Sequence, residues 1–184
     1  VVIVPISRGN WKETVLPKAV AIRDLLVTRN VRVMLDDRDS QTPGWKFNEW
    51  ELRGVPLRLE VGPKDIEKSQ VVLVRRDSRE KTFVPMEGLA TSVEEMLIDI
   101  QQALFDRALQ FQKEHTTTTD SYKEFVKIMD GRPGFVISPW CGLPGCEASI
   151  KEETQATIRN IPFESATIEE SLCFKCGKAA KVNA

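Results

Sequence analysis

Residues 36–65 read DDRDSQTPGWKFNEWELRGVPLRLEVGPKD, and this stretch decides the fold. Val31 to Asp36 has the pattern of a strand, Thr42-Pro43 opens a short helix with proline at its first position, Gly54 closes it, and Val55 to Val61 is a second strand. Side chains alternate across a strand, so Val55, Leu57, Leu59 and Val61 share one face while Arg58 and Glu60 project from the other. Gly62-Pro63 then turns the chain and presents Lys64-Asp65. A core does not need this many ions, which places the charges on one rim of a sheet. There Glu51, Arg58, Lys64 and Asp65 form a small surface of mixed charge. Such a set suits the edge of a nucleobase better than a phosphate; the plainer alternative is ordinary solvated ion pairs, which are weak and common.

Outward from this stretch the elements alternate. VVIVPI at 1–6 is a strand, and Val15, Leu16, Ala19, Ile22 and Leu26 recur at helical spacing, with Pro17 either in the first turn or ending a preceding one. After Asp65 come a strand around Val71 to Val74, a polar turn near Asp77-Ser78 and a strand through Phe83-Val84, which together make a hairpin. Ser92 with Glu95 forms a capping box ahead of a long helix, whose Met96, Leu97, Ile100, Leu104, Ala108 and Phe111 make one apolar stripe assigned to the core. Trp45, Phe47 and Trp50 offer stacking platforms, although on a short amphipathic helix Phe47 and Trp50 are read as anchors to the sheet. This alternation predicts an α/β domain built on a mixed β-sheet flanked by helices. Ser7-Arg8-Gly9-Asn10 follows a strand as a phosphate loop would, but it lacks the repeated glycines and the Lys-Ser/Thr pair of such loops.

The polar, β-branched run Thr116 to Thr119 neither continues the helix nor alternates, so it marks a boundary: domain 1–115, then domain 120–184. His115, the sole histidine, falls at the helix end, where its role is to cap the dipole and not to catalyse. Asp120 or Ser121 caps a short helix bearing Phe125, Ile128 and Met129, ended by Gly131 and Pro133. Beyond it, CGLPGC and CFKC use all four cysteines, Cys141, Cys146, Cys173 and Cys176. Two close pairs are the spacing of a four-thiolate zinc site, with Gly142, Gly145 and Gly177 freeing the turns that aim the sulfurs. Four thiolates leave no open position. The Zn2+ is therefore expected to be structural, in a small α+β domain that buries little apolar surface alone. Disulfides do not suit a chain without a secretion signal. A thioredoxin-like pair at Cys173 and Cys176, and four unrelated thiols, remain as alternatives.

With 184 residues, 41% hydrophobic and 29% charged, the chain reads as a soluble protein of one or two domains. It has no apolar run that spans a bilayer and no secretory leader, so no membrane partner and a cytoplasmic location are expected. A formal net charge of −1 argues against a broad electrostatic binder of nucleic acid, but not against a site that reads a few splayed bases. Val1 begins inside a predicted strand without an initiator methionine, as the interior of a longer protein would.

PGWKFNEWELRGVPLRLEVGPKD, with the preceding LDDRD, closely resembles the anticodon-binding domain of the prolyl-tRNA synthetases, which are class II aminoacyl-tRNA synthetases. The likeness runs from Val1 to about residue 115. It continues through the cysteine-bearing segment, which resembles the zinc-binding domain of the archaeal and eukaryotic form and is lacking in the bacterial form with an editing insertion. Glu51, Arg58, Lys64 and Asp65 match the family's anticodon-contacting positions. The resemblance implies that they read a proline tRNA whose anticodon ends in two guanines. Guanine offers N1–H and N2–H2 donors to carboxylates, and O6 and N7 acceptors to Arg or Lys. The resemblance further implies that the whole protein is a homodimeric ligase joining proline to its tRNA. Its ATP and Mg2+ would bind at an upstream catalytic domain absent from this chain, which has no glycine-rich phosphate loop and none of the arginine-bearing class II motifs, and so carries no catalytic residue. One departure stands out: the family commonly ends in an aromatic residue, and this chain stops at Asn183-Ala184. Two other classes stay open, a freestanding RNA- or protein-interaction module with a zinc knuckle, and a small thiol redox enzyme using Cys173 and Cys176.

Overall fold

The first element, β1 (Val2–Pro5), is buried throughout and is an inner strand of a five-stranded sheet in the computed structural model, which describes residues 1–7, 9–131, 134–163 and 171–184. After it come α1 (Trp11–Thr14), α2 (Leu16–Thr28), β2 (Met34–Leu35), α3 (Pro43–Leu52), β3 (Leu57–Val61), α4 (Pro63–Glu67), β4 (Gln70–Arg75), β5 (Lys81–Pro85) and α5 (Leu89–Glu114). The sheet order is β2-β1-β3-β4-β5. β1 runs parallel to both β2 and β3, while β3, β4 and β5 are antiparallel neighbours, so the sheet is mixed as predicted. Its core joins Ile3, Leu57, Leu59, Val61, Val71 and Leu73 to Ala19, Ile22 and Leu26 of α2 and to Val93 and Ile100 of α5.

Local sequence explains most boundaries. Thr42 caps α3 by accepting from the Trp45 amide at 3.3 Å, with Pro43 in the first turn. Pro17 likewise sits in the first turn of α2, behind the short α1. β3 starts at Leu57 and not at the expected Val55, because Pro56 has no N–H to give the ladder. β2 pairs over only two residues, as an edge strand with a single neighbour.

Three expectations about this part are corrected. α5 starts at Leu89, one turn before Ser92, so Ser92 is an internal helical residue and not a cap; burying Leu89, Ala90 and Val93 against the core carries the helix back. The stripe on α5 is core only in its first half. Ile100 is buried, whereas Ala108 and Phe111 are exposed and Phe111 stacks on His115, ring centroids 3.9 Å apart. Finally, the charges of 36–65 are not all on a rim: Asp36, Lys46, Arg58 and Glu60 are buried.

The chain divides into two units, Val1–Arg107 and Ala108–Ala184, a division that falls inside α5. The second holds β6 (Thr116–Thr118), α6 (Tyr122–Asp130), β7 (Phe135–Ile137), β8 (Pro139–Trp140), α7 (Pro144–Thr154) and β9 (Val182–Asn183). Thr116–Thr118, part of the run read above as a domain boundary, is a strand parallel to β7. The β8–β9 pair is antiparallel, and the whole is a small α+β assembly. His115 N–H and its Nδ1 both contact Phe111 O, at 3.1 and 2.8 Å, the predicted helix-end cap. Ser121 caps α6 by accepting from the Glu124 amide, and Gly131 closes it. Phe125, Ile150, Cys141, Cys146 and Cys173 form the core, with Tyr122, Trp140 and Phe174 packed around it. Lys175 lies 3.9 Å over the Tyr122 ring and donates to Glu153, to which the Tyr122 hydroxyl also donates at 2.7 Å. Arg8 of the 7–10 turn and Pro133 lie outside the described residues.

Candidate functional site

α3 crosses from β2 to β3, so its last turn meets the start of β3, and this brings Glu51 to Arg58. Arg58 Nη1 donates to Glu51 Oε1 at 3.1 Å. Arg58 Nε and Nη2 both contact Glu60 Oε1 at 3.0 Å, and its guanidinium lies 4.0 Å over the Phe47 ring. Glu60 is paired in addition with Lys81 at 3.7 Å. Arg58 does project from the second face of β3, as alternation requires, but α3 covers that face and leaves the residue 8% exposed. An arginine stacked on an aromatic ring and held by two carboxylates has little freedom. Glu51 is the open member of the set: its side chain is 35% exposed, and Oε2 has no partner among the described residues.

Lys64 and Asp65 are placed elsewhere. They lie in α4, past the other end of β3, after about 10 Å of strand rise from Arg58 and the Gly62-Pro63 turn. Asp65 Oδ2 accepts from the Gly62 amide at 2.9 Å, which orients the carboxylate and leaves Oδ1 unpartnered among the described residues. Lys64 is exposed and has no ion-pair partner among them. The fold thus joins Glu51 to Arg58 at one end of β3 and sets Lys64 and Asp65, consecutive residues of α4, past the other, as two posts and not one cluster.

A second polar network, which sequence reasoning missed, holds α3 in place. Lys46 is fully buried; its ammonium donates to Asp36 O at 3.0 Å and lies 3.6 Å from Asp36 Oδ1. Trp50 Nε1 donates to Asp36 Oδ2 at 2.8 Å, and Arg38 donates to both Asp36 oxygens at 2.9 and 2.7 Å. Burial opposes the charge on Asp36, yet the Arg38 and Trp50 hydrogen bonds and the Lys46 ammonium hold its carboxyl well below the usual carboxylate range. Trp50 is therefore the predicted anchor, though through its indole N–H as much as its rings. Phe47 packs on Arg58, and Trp45 stays 45% exposed with Arg38 5.3 Å over it. A lysine at a core-facing position carries no sequence signal; Asp36 ten residues earlier could have been suspected only as its counter-ion.

In the second unit all four cysteines converge. Their sulfurs lie within 4.8 Å of one another, a group that can hold a metal ion. Cys146 and Cys173 Sγ are 3.7 Å apart, as are Cys141 and Cys176 Sγ. Cys141 follows β8 and Cys146 lies in the first turn of α7, with Gly142 at φ +74° making the turn between them. The other pair sits on a tight hairpin in which Cys173 N–H donates to Lys178 O at 2.7 Å and Gly177 takes φ +68°. Gly145, credited above with freeing the first turn, is instead an ordinary helical residue of α7. Burial works against ionising Cys173, but backbone hydrogen bonds from Cys176, Lys175 and Cys141 bring its thiol down to about 7. Burial pushes Cys141 and Cys146 up. Three of the sulfurs are shielded and Cys176 is exposed.

Residues 1–96 match a family profile described as Anticodon binding domain. Residues 122–184 match one described as Prolyl-tRNA synthetase, C-terminal. Over 98% of its length the chain is 47% identical to a protein of Alkaliphilus oremlandii named Proline--tRNA ligase, of which it spans 37%. It is 47% identical over 96% to the protein so named of Natranaerobius thermophilus, spanning 36% of it, and 48% identical over 98% to that of Clostridium novyi, spanning 37%. The chain thus covers little more than a third of the length of the curated relatives it matches.

Proposed function

This chain belongs to the anticodon binding domain family and carries behind that domain a prolyl-tRNA synthetase C-terminal domain, and on that premise we propose that it is the tRNA-reading part of a ligase that attaches proline to its tRNA. Glu51 carries the reading. A part-exposed carboxylate with one oxygen fixed by Arg58 and the other without a partner among the described residues is an oriented acceptor, which is what the N1–H and N2–H2 edge of an unstacked guanine requires. Asp65 repeats the arrangement at the second post, with one oxygen on the Gly62 amide and Lys64 beside it as a donor to O6 or N7. Two posts suit two splayed guanines, those that end the proline anticodon. Arg58 acts there chiefly by orienting Glu51.

Zn2+ is the ion proposed for the four thiolates. A tetrahedral site with Zn–S near 2.3 Å has sulfur–sulfur edges of about 3.8 Å, which the two 3.7 Å separations match. Cys141, Cys146, Cys173 and Cys176 would fill all four positions, so the ion's role is to hold the α+β unit together. We divide the chain into the anticodon-binding domain, 1–115, and the zinc domain, 120–184. Proline activation with ATP and Mg2+ belongs to an upstream catalytic domain of the same protein, acting in the cytoplasm as a homodimer. No helix of the described residues is long and apolar enough to cross a membrane.

The test is Glu51→Gln, which keeps the shape but turns one acceptor oxygen into a donor. Binding to a proline anticodon stem-loop should weaken by about 1–3 kcal/mol, with little change for a loop whose guanines are replaced. Equal losses on both loops would remove Glu51 from base recognition.

A further inference from the structure

We propose that Arg76 is a phosphate contact of the anticodon site, gripping the RNA backbone beside the base that Glu51 reads; this rests on the anticodon reading above. Arg76 follows β4, and its amide donates to Pro56 O at 2.9 Å, which ties it to the residue just before β3. It lines one small recess together with Glu51, Trp50, Arg58 and Arg75. That recess, of about 10 Å³, has room for about one water molecule. A guanine cannot enter it, so the base must be read at the rim and its sugar-phosphate must pass over the surface there.

The charges around this rim decide which group can meet a phosphate. Arg58 is committed to Glu51 and Glu60, Arg75 donates to both Asp77 oxygens at 3.0 and 2.8 Å, and Arg53 pairs with Glu49. Lys81 faces Glu60. Glu51, Glu60, Arg58 and Lys81 together carry no net charge, and two carboxylates there would repel a phosphodiester. Arg76 is exposed, and its guanidinium has no partner among the described residues, so its donors remain free for a planar, bidentate grip on phosphate oxygens. With a chain of net charge −1, general attraction does not supply this contact.

The experiment measures binding of the 184-residue chain, wild type, Arg76→Gln and Arg79→Gln, to the proline anticodon stem-loop and to the same loop with its guanines replaced. Each pair is titrated at several salt concentrations. Arg79 lies in the same polar turn but off the recess. For Arg76→Gln the affinity should drop roughly tenfold on both loops, leaving the preference between them intact. The slope of log affinity against log salt should become shallower by about 0.7, the value for one phosphate on a single strand. An unchanged slope, or the same slope change in Arg79→Gln, would overturn the assignment while the anticodon reading stands. A wild-type chain with no preference for the native loop would overturn both.

Discussion

Removing the charge of Asp36 should destabilise the first unit far more than removing the lysine that faces it. Lys46 is fully buried, and its ammonium has two partners within reach, Asp36 O at 3.0 Å and Asp36 Oδ1 at 3.6 Å. In Asp36→Asn the counter-charge is gone and a buried cation is left with one carbonyl, which costs about 3–5 kcal/mol. In Lys46→Met the carboxylate keeps Arg38 and Trp50 at 2.7 to 2.9 Å. The Asp36 carbonyl loses its donor and Oδ1 its ion-pair partner at 3.6 Å, but the carboxylate stays hydrogen-bonded, so the cost falls to about 1–3 kcal/mol. The double variant should then be more stable than the sum of the two by about 1.5–3 kcal/mol, because it no longer buries an unpaired charge. Denaturant unfolding followed by tryptophan fluorescence reads this directly, since Trp11, Trp45 and Trp50 belong to the first unit and Trp140 alone to the second. Additive losses, or a Lys46→Met at least as damaging as Asp36→Asn, would refute the idea that Asp36 is the hub that fixes α3 and, through it, Glu51.

The same carboxylate sets a pH dependence. The folded pKa of Asp36 lies far below the 3.8 of a free aspartate, so its stabilisation is complete above about pH 5 and is lost as pH falls toward the folded value. Acid unfolding of the Asp36→Asn/Lys46→Met pair should accordingly be flatter than wild type between about pH 5 and about pH 2; parallel curves would exclude the assignment. Metal analysis should find one zinc per chain. A chelator, or Cys146→Ser, should unfold the 108–184 unit and spare the first, as followed by Trp140 and by circular dichroism, whereas a folded, metal-free unit with a reactive Cys173 would favour the redox reading. Thr42→Ala should cost about 1 kcal/mol through loss of the α3 cap, seen as a lower denaturant midpoint; no change would show that Pro43 alone starts the helix.

The strand–helix–strand order of 31–61 was legible because Thr42-Pro43, Gly54 and the Leu57-Leu59-Val61 alternation are local signals whose physics does not depend on distant contacts. The four cysteines were legible by spacing, and the fold draws their sulfurs together. Less legible was anything decided by what covers a face. Alternation put Arg58 and Glu60 outward, but only the packing of Phe47 and Glu51 on that face turns an outward arginine into a buried clamp. Lys46 reads as a solvent-facing helical residue until Asp36 is folded beneath it. Thr116–Thr118 lacks strand alternation because three residues pairing with β7 are too few to display a period. Ser92 was misjudged for the opposite reason, a good local cap signal overridden by the burial of Leu89 and Val93. Glu51, Arg58, Lys64 and Asp65 came from resemblance, and no local rule would have paired them as two posts at opposite ends of β3.

The most direct measurement is the affinity of this chain for a proline anticodon stem-loop against the same loop with both guanines replaced, at one fixed salt concentration. Two oriented carboxylates reading two guanines predict a preference of at least about tenfold for the native loop, since each misread base costs about 1–3 kcal/mol. Equal affinity for the two loops would contradict the claim that Glu51 and Asp65 read bases.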